Sequence, residues 1–221
     1  MFSSLFGSKK LGFKKASTVQ PTGPSIMGLR VGCSFELDPL MLKLFESQLV
    51  IEQAAQTQII QAAGRVELDD TTIFRFYTDD EAFLQVVAQG GTDDTHVIDV
   101  KLYHYYDTLD ISADRDWDAL LNTKIGVAHY ELSGYGYDRV WQSLSDYHKP
   151  VHMRESTYDI YGASSFTDQF TMLFERPVTE SLMESLLLSA EETLNPAGGL
   201  SRCFVISTGV DLSPSQITIH G

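Results

Sequence analysis

From Ile26 onward the chain mixes apolar and polar positions at short spacing, and turn residues interrupt it about every ten positions. That rhythm predicts short strands rather than long helices. The clearest case is TTIFRFYTDDEAFLQVVA, residues 71–88, where two runs rich in β-branched and aromatic residues flank Thr78-Asp79-Asp80-Glu81. An antiparallel hairpin needs this pattern. Asp-Asp is not a favoured two-residue turn pair, so the loop should be slightly longer. With Thr78 facing Glu81, Phe76 falls opposite Phe83 and Phe74 opposite Gln85. The aromatic pair would contribute about 0.5–1 kcal/mol beyond burial.

The next run, HVIDVKLYHYYDT, alternates with period two. One face carries Ile98, Val100, Leu102, His104 and Tyr106, the other Asp99, Lys101, Tyr103, Tyr105 and Asp107, as in a half-buried strand. Strand-like runs also begin the globular part (IMGLRVGCSFEL, before the turn signal Asp38-Pro39) and end it (RCFVISTGVDL and SQITIHG). VHMRESTYDIY and SFTDQFTMLFERPV read the same way, and GVAHYELSGYGYDRVW reads as a hairpin about residues 133–136. SADRDWDALLN is the best helix, with Ser112 or Asp114 to cap it and Trp117, Leu120 and Leu121 on one face. Residues 40–65 are ambiguous between helix and strand, and two strands, QLVIEQ and TQIIQAAGRVEL, are the preferred reading. MESLLLSAEETL favours helix on propensity alone.

The fold class expected is therefore mainly β, or α+β, with antiparallel hairpin-rich sheets and one or two short helices. Residues 1–25, with four lysines, no acid and PTGPS, read as a flexible basic tail. Residues 26–221 read as one β-rich globular domain, whole or in two sub-lobes.

Charge narrows the partners. The formal net charge is -14, and because residues 1–15 hold Lys9, Lys10, Lys14 and Lys15, the remainder carries -18. So acidic a body repels phosphate backbones, which argues against nucleic acid and suits a basic protein partner. Cys33 and Cys203 lack CxxC spacing, and no run of eighteen apolar residues occurs. Both features point to a cytoplasmic setting. In MFSSLFGSKKLGFKK, Phe2, Leu5 and Phe6 share a helical face ahead of Lys9 and Lys10, a candidate weak anchor to an anionic membrane at the inner-membrane periphery.

The candidate chemistry is thin. Asp93, Asp94 and His96 offer at most three metal ligands, and Asp79, Asp80 and Glu81 lie at the far end of the intervening strand, about 20 Å away. GGTDD lacks the lysine and hydroxyl of a phosphate loop, and neither GxSxG nor HExxH occurs. No catalytic residue, cofactor or metal is assigned. Tyrosines beside acids between residues 100 and 150 suit a protein-binding face, for which Tyr103, Tyr105, Asp79, Asp80, Asp93 and Asp94 are the candidates.

Several separated segments carry a resemblance: GLRVGCSFELDPL, RFYTDDEAFLQV, GGTDDTHVIDVKLYHYYDT, YDRVW, LLLSAEE and STGVDLS. In this order they resemble the YjfK-like family of bacterial proteins of unknown function. The resemblance implies a cytoplasmic bacterial protein whose genes neighbour those of a phage-shock-type membrane-stress protein and a small membrane protein. It brings no established activity, fold or site residue, but it moves LLLSAEE towards strand. The expected function is that of a non-enzymatic accessory protein that binds a protein partner near the membrane under envelope stress. The alternative is a small-molecule- or metal-binding enzyme using the acids from Asp93 to Asp107.

Overall fold

The computed structural model describes residues 23–45, 47–51, 54–195 and 197–221. The candidate anchor residues Phe2, Leu5, Phe6, Lys9 and Lys10 lie outside them. The strands are β1 (Ser34–Leu37), β2 (Thr57–Leu68), β3 (Thr71–Thr78), β4 (Ala82–Gln89), β5 (Val97–Asp110), β6 (His129–Leu132), β7 (Tyr135–Arg139), β8 (Val151–Asp159), β9 (Ser164–Pro177), β10 (Met183–Leu194), β11 (Leu200–Asp211) and β12 (Ile217–His220). Two short helices, α1 (Pro39–Phe45) and α2 (Asp114–Ala119), complete them.

Eight strands pair in the order β2-β3-β4-β5-β11-β10-β9-β8, and β8 pairs back onto β2. Every pairing is antiparallel, so the sheet is a closed barrel, which leaves these strands no free edge. The fold is mostly antiparallel β, as the spacing of turns implied.

The barrel wall is buried on both sides over much of its circumference. Outside β2–β5, Phe74, Phe76, Leu84, Val86 and Leu102 pack under Phe35 and Leu37 of β1 and the segment around Leu29. Outside β9–β11, Phe174, Leu186, Leu188 and Ile206 pack under α2 and the β6–β7 hairpin, through Trp117, Leu120 and Tyr137. This explains why β3 and β4 read as nearly continuous apolar runs: five consecutive residues are buried in each. It also overrides helix propensity in β10. There Leu186, Leu188 and Ala190 enter the outer core while two long ladders, to β9 and β11, satisfy the backbone.

The local readings differ from the structure at four points. The β3–β4 register is one residue off the expected one: Tyr77 faces Phe83 and Phe76 faces Leu84. The loop is longer than two residues because Glu81 takes a positive φ of 50°, which closes a bulged turn. Asp38-Pro39 starts a helix rather than a turn, since Asp38 Oδ1 accepts from the Leu40 N–H at 2.9 Å. Of QLVIEQ, the described residues 48–51 form no strand. The Val50 N–H donates to Glu184 Oε1 at 2.6 Å and the Gln48 carbonyl accepts from Arg176, so this backbone is satisfied by side chains. Neither expected cap holds α2, which begins after Ala113 without a side-chain bond and ends in a π turn, Leu120–Lys124.

One glycine is required by what the barrel contains. A Cβ at Gly64 of β2 would lie 1.7 Å from Glu155 Oε1. The carboxylate therefore occupies the space a side chain would take. Gly64→Ala should lower stability by at least about 2 kcal/mol, or on the order of 4–8 °C in Tm. Thermal unfolding followed by circular dichroism checks this, and an unchanged Tm would contradict the packing described.

Candidate functional site

Residues directly opposite one another in a sheet point to one face, so the register identifies the lumen side chains. Gly64 faces Arg75, Arg75 faces Gln85, Gln85 faces Lys101 and Lys101 faces Asp211. Across the barrel, Cys203 faces Glu191 and Glu191 faces Gln169. The lumen is thus polar where the outer cores are apolar.

At its centre Arg75 (3% exposed) pairs with Glu155 (1% exposed), Nη1 to Oε2 at 3.0 Å. Arg75 Nη1 also donates to Gln169 Oε1 at 2.6 Å, and Nε to Gln85 Oε1 at 3.0 Å. Glu155 accepts further from the Tyr77 hydroxyl at 2.7 Å and from Gln169 Nε2 at 2.9 Å. Gln169 Nε2 reaches Glu191 Oε1 at 3.2 Å, and the Ser189 hydroxyl donates to the same oxygen at 3.0 Å. Burial works most strongly against the charge of Arg75, but Glu155, Tyr77 and Glu191 together outweigh it and hold the guanidinium above its usual pKa. Burial also pushes the Glu191 carboxyl above the usual carboxylate range, with Arg75 only partly opposing.

A cavity of about 400 Å³ opens into the lumen at the end carrying the β2–β3 turn. Ile73, Val87, Met153, Leu173 and Leu187 give it apolar walls, with Trp141 beside them. Asp69, Asp70, Asp99 and Lys101 lie near its mouth, and Arg75 and Gln85 lie deeper. Lys101 is nearly buried and bonds Asp211, with Glu175 Oε1 at 3.4 Å and Asp99 Oδ2 at 3.9 Å. Burial pushes Asp99 above its usual range, against the pull of Lys101.

The residues singled out in the sequence fall elsewhere, and one needs correction. Tyr103 belongs to no exposed face: it is fully buried in the lumen, stacked on Phe83 with ring centroids 5.1 Å apart. β5 is covered on both sides from Val100 to Tyr103 and exposed on both from Tyr105 to Asp110, so the expected alternation of burial does not occur. Tyr105 (39% exposed) and Tyr106 (47%) do reach the surface, where they line a second cavity of about 480 Å³ with Asp79, Asp80, Glu81 and His104. Asp79 and Asp80 accept from the backbone N–H groups of Ile59 and Ala55. The Asp93–His96 loop lies at the other end of β4. There Asp93 caps a 3-10 turn through the Thr95 N–H and sits 2.9 Å from His96 Nδ1, while Asp94 accepts from the Met27 N–H. Among the described residues no three His, Cys, Asp or Glu side chains group as metal ligands.

Reading the sequence missed Arg75, Gln85, Glu155, Gln169 and Glu191. The one signal was a lone polar residue inside an otherwise apolar or β-branched strand, as in TTIFRFYT.

Fold and site together define a closed eight-stranded antiparallel barrel with a charged, hydrogen-bonded lumen open at one end. The chain belongs to the family described as "Protein of unknown function (DUF2491)", which it matches over residues 1–218. It is 31% identical over 198 residues to the uncharacterized protein YjfK of Escherichia coli (strain K12), which spans 88% of this chain and 90% of that protein. The resemblance carried by the separated segments is thus confirmed: this is a β-rich member of a bacterial family of unknown function. No solved structure is a significant match to it. No helix among the described residues is long and apolar enough to cross a membrane.

The raised Glu191 pKa fixes a sign. The folded state holds this proton more tightly than the unfolded chain does. Stability therefore falls as pH rises from the ordinary carboxylate value to the raised one. Glu191→Gln should remove that fall, leaving the variant equal to the parent near about pH 4 and more stable than the parent at pH 7. Urea unfolding at several pH values reads it, and parallel pH profiles for the two proteins would refute it.

Proposed function

We propose that this protein is a non-enzymatic binding protein whose ligand site is the barrel lumen. The observation that carries this reading is the cavity of about 400 Å³, a volume in the range of small-molecule sites. Its walls are apolar, and polar groups converge at its inner end. Hydrogen bonds among the described residues use Arg75 Nε and Nη1 and Gln85 Oε1. Both residues line the cavity, and Gln85 Nε2 and Arg75 Nη2 are the donors we assign to a ligand there. An amphipathic molecule of modest size meets both demands.

A second reading keeps the expected protein partner and is favoured by the exposure of Tyr105 and Tyr106 over the other cavity. There the protein acts as a cytoplasmic accessory factor, its basic tail touching an anionic membrane in envelope stress. A photo-crosslinking residue in place of Tyr106 should trap a discrete partner in cells. No trapping beyond that seen from exposed Leu144 removes this reading.

The lumen reading is tested with octanamide, a neutral amphiphile, by following tryptophan emission. Trp141 borders the cavity whereas Trp117 is buried in the outer core. Saturable quenching is expected, lost in Trp141→Phe and blocked by the cavity-filling Leu173→Trp as judged by calorimetry. Absence of any saturable heat with the parent protein would sink the lumen reading.

A further inference from the structure

The charges around the cavity specify its ligand more closely. Three carboxylates line it, those of Asp69, Asp70 and Asp99, against two cations, Arg75 and Lys101. Both cations are already engaged: Arg75 by Glu155, and Lys101 by Asp211 and Glu175. Asp70 receives only neutral donors, the Thr71 hydroxyl at 3.3 Å and Gln89 Nε2 at 3.1 Å. Asp99 lies 3.9 Å from Lys101, beyond hydrogen-bond length, and is partly buried. Lys101 is thus shared among Asp99, Asp211 and Glu175, so among the described residues the mouth carries an excess of negative charge, next to an aromatic ring, Trp141. An ammonium suits that position on both counts.

The inner end makes a different demand. Gln85, 9% exposed, brings an unused amide donor, and Arg75 brings Nη2. An anionic group there would sit beside Glu155 and Glu191, which already share this guanidinium. An uncharged acceptor takes both donors without that repulsion.

We infer that the lumen ligand is a cationic amphiphile. Its ammonium rests at the Asp70–Asp99 mouth, its apolar body lies against Ile73, Val87, Met153 and Leu173, and an uncharged carbonyl or similar acceptor reaches Arg75 and Gln85. This rests on the lumen being the binding site, and it adds which molecules the site accepts and which it rejects.

Calorimetric titration at low salt with 8-aminooctanamide, octanamide and octanoate separates the two claims. The amino-amide should bind about tenfold more tightly than octanamide. Octanoate should bind more weakly than either. Asp99→Asn should erase most of the amine's advantage while leaving octanamide unchanged, with Asp70→Asn as an independent exposed variant. Gln85→Leu should weaken both amides together. Equal affinities for the two amides, or octanoate binding as well as octanamide, would overturn the cationic assignment while leaving lumen binding intact. Failure of all three to bind would remove both.

Discussion

The ion pair between Arg75 and Glu155 sets the terms for the rest of the structure. Moving two charges out of water costs several kcal/mol per ion, and their attraction repays this only when the remaining donors and acceptors are also met. The lumen is arranged to do so. Tyr77 and Gln169 complete the carboxylate, Gln85 and Gln169 take the guanidinium's protons, and Gly64 vacates the volume that Glu155 fills. A barrel with such an interior gains only limited hydrophobic stabilisation from inside, through the small clusters about Ile73 and Phe83. The outer wall must supply it, which is why β1 with the segment before it coats one side and α2 with β6 and β7 coats another.

A second buried pair shows what a purely structural ion pair looks like in this protein. Arg176 and Glu184, 2.6 Å apart, lie outside the barrel wall. Their remaining capacity is taken by the Tyr137 hydroxyl, the Val50 N–H and the Gln48 carbonyl, which fasten residues 48–50 to the barrel. Neither Arg176 nor Glu184 lines any of the cavities described. Arg75 and Gln85, by contrast, border open volume with donors to spare. The two pairs share a chemistry and differ in access, and access is what marks the lumen as the site.

Much of the fold was legible in the chain because its information is local. The Ser133-Gly134 turn has both residues at positive φ, as a two-residue hairpin demands, whereas the alternating burial expected of β5 is absent, because Val100 to Tyr103 are covered on both faces. The β3–β4 register was missed by one position because it depends on Glu81 adopting a left-handed conformation unusual for glutamate. The site was not legible for a different reason. Arg75 and Glu155 are 80 residues apart, and they meet only because β8 closes onto β2. Before closure is known, Arg75 in a strand reads as a solvent-facing charge, and Tyr103 as a surface phenol.

The most direct measurement is a double-mutant cycle on the central pair, read by urea unfolding. Arg75→Met and Glu155→Met should each cost about 3–5 kcal/mol, because each strands a buried charge. The double variant should recover most of that loss, giving a coupling of about 2 kcal/mol or more. Small, additive losses below about 1 kcal/mol would mean that solvent screens the pair, and the account of a buried, ion-paired lumen would fall.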